Sequence, residues 1–203
     1  MTRPHLVAGR RIDVTTRPGV RRLIPMTEVA RVVAAALEAA GAPERASLSV
    51  ILTDDDELAD LNVAHLGHAG PTDVLSFPLL PPGAFPSHPG KGAAARAATA
   101  AAPPARAGTA ATAAASAAAT TFALPPGARV HLGDIAISVN RAIAQASEGR
   151  GGQTGDRRWA PADELRLLLT HGTLHVCGWD HAEPTEERAM RALERRLLGD
   201  VPA

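Results

Sequence analysis

The 203-residue chain has few cysteines, no excess of either charge and no long hydrophobic run. Its one cysteine, Cys177, excludes an intramolecular disulfide and is typical of a reducing compartment. Basic and acidic residues both number 21, so no global basic field indicates a nucleic-acid partner, although a local basic patch could suffice. No stretch predicts a transmembrane helix or a signal peptide. We therefore expect a cytoplasmic protein that has no membrane partner.

Large side chains are also scarce between residues 81 and 128, where Ala, Pro, Gly and Thr dominate. Such a composition buries too little apolar surface to offset the entropy that is lost when the chain is ordered. We interpret 81–128 as a disordered low-complexity insertion. It would interrupt a single domain made of residues 1–80 and 129–203.

Apolar periodicity predicts the secondary structure of that domain. Period-two alternation indicates strands at 11–14, 46–53, 74–77 and 130–139, while residues 1–10 are expected to be loose. Helical spacing indicates about five helices, of which the one that starts at Pro161 carries leucines around most of its circumference. The sequence therefore predicts an α+β fold, in which a four-stranded mixed sheet is packed by about five helices and one helix is buried at the centre.

Three histidines, His171, His175 and His181, form the strongest chemical signal in the sequence. Histidines four residues apart lie on one face of a helix, with Cβ atoms roughly 5–6 Å apart, and can share an ion. On a continuous helix His181 would lie roughly 9 Å further along, so the chain must turn back, as Gly178 allows. Three neutral imidazoles with an open fourth position are typical of catalytic zinc. We predict one Zn²⁺ ion on these histidines, with Cys177 facing away from it as a small buried residue.

The residue after the first histidine is Gly172, where HExxH metalloproteases have their glutamate general base. The sequence therefore predicts metal-assisted hydrolysis without that glutamate. The only catalytic group that it assigns is a water bound by the metal. The histidine spacing is also found in zinc metalloproteases of the metzincin type. Because Gly172 replaces the glutamate, a zinc metalloprotease is the least favoured of the possible functions.

Three motifs in order carry a resemblance to a known family. Leu61 and Asn62 followed by PTDVLSFP at 71–78 form the first, LGDI at 132–135 the second, and HGTLHVCGWDH at 171–181 the third. They are similar to motifs of the YbeY family of bacterial endoribonucleases, whose signature is HGxLHxxGxDH. The resemblance covers roughly residues 45–80 and 129–199.

The resemblance implies a zinc-dependent endoribonuclease specific for single strands, which acts in late 16S rRNA 3′-end maturation and in ribosome quality control. Its partners would be rRNA and the small ribosomal subunit or its assembly factors, with no DNA. Ser76 and Asp134 lie in the motifs that would flank the metal cleft, and with Asp180 they are the candidate catalytic residues of that cleft. Asp180 either orients an imidazole or caps the turn after Gly178.

One departure from the family pattern bears on activity. Family members usually have an arginine four residues after the asparagine of the first motif, and this chain has Leu66 there. Leucine cannot contact a phosphate as arginine does, although His65 and His68 could partly substitute. The alternative hypothesis is therefore a zinc-stabilised ribosome-assembly factor with little or no nuclease turnover. A row of arginines on the last helix is either a solvated face or a phosphate contact: Arg188, Arg191 and Arg195.

Overall fold

The computed structural model describes residues 2–67, 70, 72–89, 128–149 and 159–199. Within these ranges the chain is an α+β domain with one five-stranded mixed sheet and five α-helices, which confirms the predicted fold class. The strands are β1 (Thr2–Val7), β2 (Arg10–Thr16), β3 (Ala46–Thr53), β4 (Val74–Pro78) and β5 (Val130–Ser138). The helices are α1 (Met26–Ala39), α2 (Asp55–Leu66), α3 (Val139–Ser147), α4 (Pro161–Val176) and α5 (Pro184–Leu198).

The strand order in the sheet is β1-β2-β3-β5-β4. The three inner strands run parallel, and both edge strands run antiparallel to their neighbours. Parallel strands are usually buried on both faces. Here α1, α3, α4 and α5 contribute to the core on one face, and α2 covers the other face through Leu58 and Leu61.

The fifth strand is a correction to the predicted four, and it lies in the stretch 1–10 that the sequence predicts to be loose. Residues 2–7 pair along their whole length with β2. The turn between the strands places Ala8 and Gly9 in the left-handed region, with φ of 46° and 77°. A two-residue hairpin turn requires that geometry, but alanine rarely adopts it. The side chains of β1 are mostly exposed, so neither its turn nor its hydrophobicity distinguishes it from a loop.

Helix α2 begins directly after Asp54, the first residue of an acidic run. The Asp54 carboxylate accepts a hydrogen bond from the backbone N–H of Glu57 at 3.0 Å. None of the described helices is long and apolar enough to cross a membrane.

Helix α4 crosses the sheet closely at Gly172. A Cβ at this position would lie 2.8 Å from Ile135 Cγ2 and 2.9 Å from Val74 Cγ2. The Ser76 hydroxyl on β4 donates a hydrogen bond to the Gly172 carbonyl at 3.0 Å. The missing side chain thus lets α4 lie against β4 and β5, and this contact fixes the height of the two helical histidines above the sheet.

The segment after β4, residues 82–88, packs back on the domain. A short 3-10 turn spans Pro82–Ala84, and the Phe85 side chain is buried in the main core. Pro82 lies against the turn that follows α4, where a Cβ on Gly178 would be 2.9 Å from Pro82 Cα. Residues 90–127, the greater part of the predicted insertion, lie outside the described residues, and its disorder stays a prediction.

Candidate metal centre

The end of α4 turns the chain back as the sequence predicts. Gly178 adopts a left-handed conformation with φ of 80°. Its N–H donates to the His175 carbonyl at 2.9 Å, and the Trp179 N–H donates to the Leu174 carbonyl at 3.0 Å. This pair of bonds is a Schellman motif, which closes a helix and reverses the chain. As a result His181 returns towards the two histidines on the helix.

The three histidines converge on one point. Each offers a ring nitrogen, and these nitrogens all lie within 4.8 Å of one another. The Nε2 atoms of His171 and His175 are 3.0 Å apart. The ring centroid of His181 lies 5.5 Å from that of His171 and 5.1 Å from that of His175. The described residues therefore contain the three-imidazole cluster that the spacing of the histidines predicts, at a geometry that could hold one metal ion.

A buried carboxylate orients the first histidine. The Nδ1 atom of His171 lies 2.9 Å from the Glu194 Oε1 atom, and the Glu194 side chain is only 8% exposed. A carboxylate only accepts hydrogen bonds, so the proton of the His171 ring lies on Nδ1 and the Nε2 lone pair faces the cluster. Glu194 was not among the site residues predicted from the sequence. It stands on the apolar side of α5, four residues after Met190, and a charged residue at such a position was the available signal.

The surroundings of the second histidine, His175, keep its ring neutral. Burial lowers the pKa of His175 to about 4, and repulsion from His171 and His181 adds to this, partly offset by attraction to Asp180. His175 is therefore neutral at physiological pH, with a lone pair available. A metal ligand must be neutral in this way.

The third histidine depends on hydrogen bonds in the turn. Asp180 Oδ1 accepts a hydrogen bond from the His181 N–H at 2.7 Å, which is the capping role considered for it. The Asp180 N–H in turn donates to Glu186 Oε1 at 3.0 Å. Glu186 is 1% exposed and also stands on the inner side of α5. Two carboxylates of α5, on Glu186 and Glu194, thus support two of the three histidines.

Comparison with known proteins identifies the family of the chain. The family model for Endoribonuclease YbeY matches residues 22–201. The chain belongs to the YbeY family. Endoribonuclease YbeY of Salinispora tropica is 39% identical over 163 residues, which are 80% of this chain and 79% of the relative. Its counterpart in Thermobifida fusca is 36% identical over 191 residues, which are 92% of this chain and 91% of the relative. The solution structure of TM1509 from Thermotoga maritima covers 94% of this chain and 89% of its own at 17% identity, with a TM-score of 0.45, too low to support an argument.

The other predicted site residues of the YbeY motifs have different contacts. Ser76 touches the helix that carries His171 and His175, through the Gly172 carbonyl. Asp134 pairs instead with His131 Nε2 at 3.3 Å, and no described contact joins it to the three histidines. Cys177 is fully buried, as predicted, and burial raises its thiol pKa to about 12. The catalytic roles considered for Ser76, Asp134 and Asp180 stay predictions.

The structure describes only part of the region around Leu66, the residue that stands where YbeY proteins usually have arginine. His65 is exposed near the end of α2, where its ring packs edge-on against Phe77 with centroids 5.1 Å apart. His68 and the side chain of Leu66 lie outside what the structure describes. On α5, Arg191 pairs with Glu187 at 2.7 Å, and Arg195 is exposed.

The packing around Gly172 leaves no room for the glutamate of an HExxH metalloprotease. The residue that follows the first histidine points into the sheet, against Ile135 and Val74. A glutamate at this position would have to displace the sheet, and its carboxylate would lie away from the metal cluster. The packing therefore supports the exclusion that the sequence alone suggests.

Proposed function

We propose that the chain is a zinc-dependent endoribonuclease, specific for single strands, that acts in the cytoplasm in late 16S rRNA 3′-end maturation and ribosome quality control. Its partners would be rRNA and the small ribosomal subunit or its assembly factors. The observation that carries the proposal is the convergence of three imidazoles, one of them oriented by a buried carboxylate, in a chain of the YbeY family. The relatives are called endoribonucleases, which supports hydrolysis of RNA.

The donor set fits zinc. Two nitrogens bound to one tetrahedral zinc at about 2.0–2.1 Å lie roughly 3.3 Å apart. The Nε2 atoms of His171 and His175 are 3.0 Å apart, so a displacement of a few tenths of an ångström would fit them to the ion. Imidazole donors suit zinc, and also copper, iron and nickel. Three protein ligands leave a position free for water or substrate.

The chain's own residues would divide the work as follows. His171, His175 and His181 hold the ion, which when bound would polarise a phosphate oxygen and lower the pKa of a bound water. Glu194 keeps the His171 ring in the required tautomer and orientation. Gly172 and Ser76 fix α4 against β4, so that the ligands keep their height above the sheet.

The proposal is tested with purified protein and an RNA that contains the 3′ end of precursor 16S rRNA. Protein reloaded with zinc should cleave the single-stranded RNA, and it should spare a duplex and a DNA of the same sequence. Chelated protein and the His171→Ala variant should not cleave. Equal cleavage by His171→Ala would attribute the activity to a contaminating nuclease and would contradict the proposal.

The second candidate is a zinc-stabilised ribosome-assembly factor with little or no turnover. Leu66, where family members usually have arginine, favours it. Zinc-dependent association with the small subunit, without cleavage under any metal tested, would select this function over the nuclease.

A further inference from the structure

We infer that His88 is a positioning residue of the metal centre, which holds the turn that carries His181. His88 lies in the 82–88 segment, far from the three ligands in sequence. The inference rests on the proposed metal site but on no assumption about the substrate.

The third ligand is the one that needs external support. His171 and His175 are fixed by the hydrogen bonds of α4, whereas His181 lies beyond the end of the helix and is exposed. Its backbone is held by Asp180, and Asp180 is held by Glu186. The position of the His181 ring therefore depends on how firmly residues 178–180 and Glu186 are held in place.

His88 contacts both the turn and Glu186. Its ring stacks on Trp179 with centroids 4.0 Å apart and an angle of 9° between the planes. Its Nε2 atom donates to the Gly178 carbonyl at 3.3 Å, and its Nδ1 atom lies 3.4 Å from Glu186 Oε1. The His88 side chain is 5% exposed and that of Glu186 is 2% exposed. One ring thus contacts two residues of the turn and the carboxylate that anchors it.

Burial makes these contacts specific. A buried carboxylate costs free energy unless polar partners compensate for the lost water. Glu186 Oε1 accepts from the Asp180 N–H and faces His88, while Glu186 Oε2 has no hydrogen-bond partner among the described residues. The buried His88 ring also keeps water from Glu186 Oε1. Without that ring, water would reach Oε1 and compete with the Asp180 N–H for it. The His181 ring would then be free to leave the cluster.

The test is a titration of the full-length, metal-free protein with cobalt(II), whose visible absorption reports coordination geometry. We compare wild type with His88→Ala, and with His88→Phe, which keeps the ring stack but loses both polar contacts. The matched control is His5→Ala, on the edge strand β1 at the opposite side of the sheet. Thermal unfolding of each metal-free protein is measured in parallel, so that loss of fold is distinguished from loss of ligand geometry.

We expect His88→Ala to lower cobalt affinity at least about tenfold, as removal of a residue that supports a metal ligand typically does. The visible spectrum should change, while His5→Ala matches wild type. The inference is overturned if His88→Ala binds cobalt with wild-type affinity and spectrum. If that variant does not fold, His88→Phe decides by the same criteria.

The failure of this inference and the failure of the proposed function give different results. A wild-type protein that binds no cobalt would contradict the metal site itself, and the role of His88 with it. If the His88 variants alter cobalt binding as expected but zinc-loaded wild type does not cleave RNA, only the nuclease proposal is overturned.

Discussion

Replacement of Glu194 by alanine should weaken metal binding without unfolding the protein. The carboxylate accepts a hydrogen bond from His171 Nδ1 at 2.9 Å and is nearly buried. Its removal leaves the His171 ring free to rotate and leaves a half-buried N–H without an acceptor. The Nε2 atom would then point at the ion in only a fraction of the molecules.

The magnitude follows from the type of bond that is lost. A hydrogen bond to a charged group contributes about 1.5–3 kcal/mol, and about 1.4 kcal/mol corresponds to a tenfold change in affinity. Glu194→Ala should therefore reduce zinc affinity about 10- to 100-fold. In Glu194→Gln the amide oxygen can still accept the bond, so we expect a loss of about tenfold or less.

The assay is competition for zinc with a chromophoric chelator, at fixed pH and salt. Glu187→Ala is the matched control, because Glu187 lies on the same helix and its ion pair is with Arg191 rather than with a ligand. Metal-free thermal unfolding shows whether each variant is folded. Wild-type zinc affinity in folded Glu194→Ala would refute the role assigned to this carboxylate.

Three further predictions concern packing, pH and the substrate side of the site. Gly172→Ala should lower the free energy of unfolding in urea by about 1–3 kcal/mol, because the new Cβ meets two methyl groups of the sheet. The control Gly83→Ala has open space around it and should be neutral. Equal stabilities of the two variants would contradict the close crossing of α4 over the sheet. The pKa of His175 is about 4 in the folded state against its ordinary value of 6.5, so the unfolded chain binds the proton more tightly. The free energy of unfolding of the metal-free protein should therefore fall as the pH falls from 6.5 to about 4. His175→Gln should flatten this pH dependence, and an unchanged slope in the variant would refute the assignment to His175. Leu66→Arg should raise RNA cleavage about tenfold or more by adding a phosphate contact, and an unchanged rate would remove Leu66 as the reason for any low activity.

The three-histidine cluster could be predicted because its geometry is local. Two histidines four residues apart share a helix face, and Gly178 supplies the left-handed residue that turns the chain towards His181. All the residues that bring the three histidines together lie in the short segment 171–181, so the sequence alone is sufficient to predict the cluster. The inner strands are local in the same way, because they follow from the alternation of apolar residues. The helix cap at Asp54 is also local, because its carboxylate accepts from the N–H of Glu57, three residues on.

The supporting residues could not be predicted in the same way, because tertiary packing brings them to the site. Glu194 meets His171 across two helices, and His88 meets Glu186 from a distant part of the sequence. In the sequence, the arginines of α5 are more conspicuous than its two inward glutamates. Strand β1 was missed for another reason, since its hairpin requires a left-handed alanine that no propensity favours.

The most direct test of the account is a titration of metal-free protein with zinc in which bound metal and RNA cleavage are followed together. Bound zinc and cleavage should rise in parallel and level off at one ion per chain, and His181→Ala should bind zinc weakly and should not cleave. Cleavage that is already maximal before metal is added, or that continues to rise well beyond one bound ion, would contradict a single three-histidine centre as the source of activity.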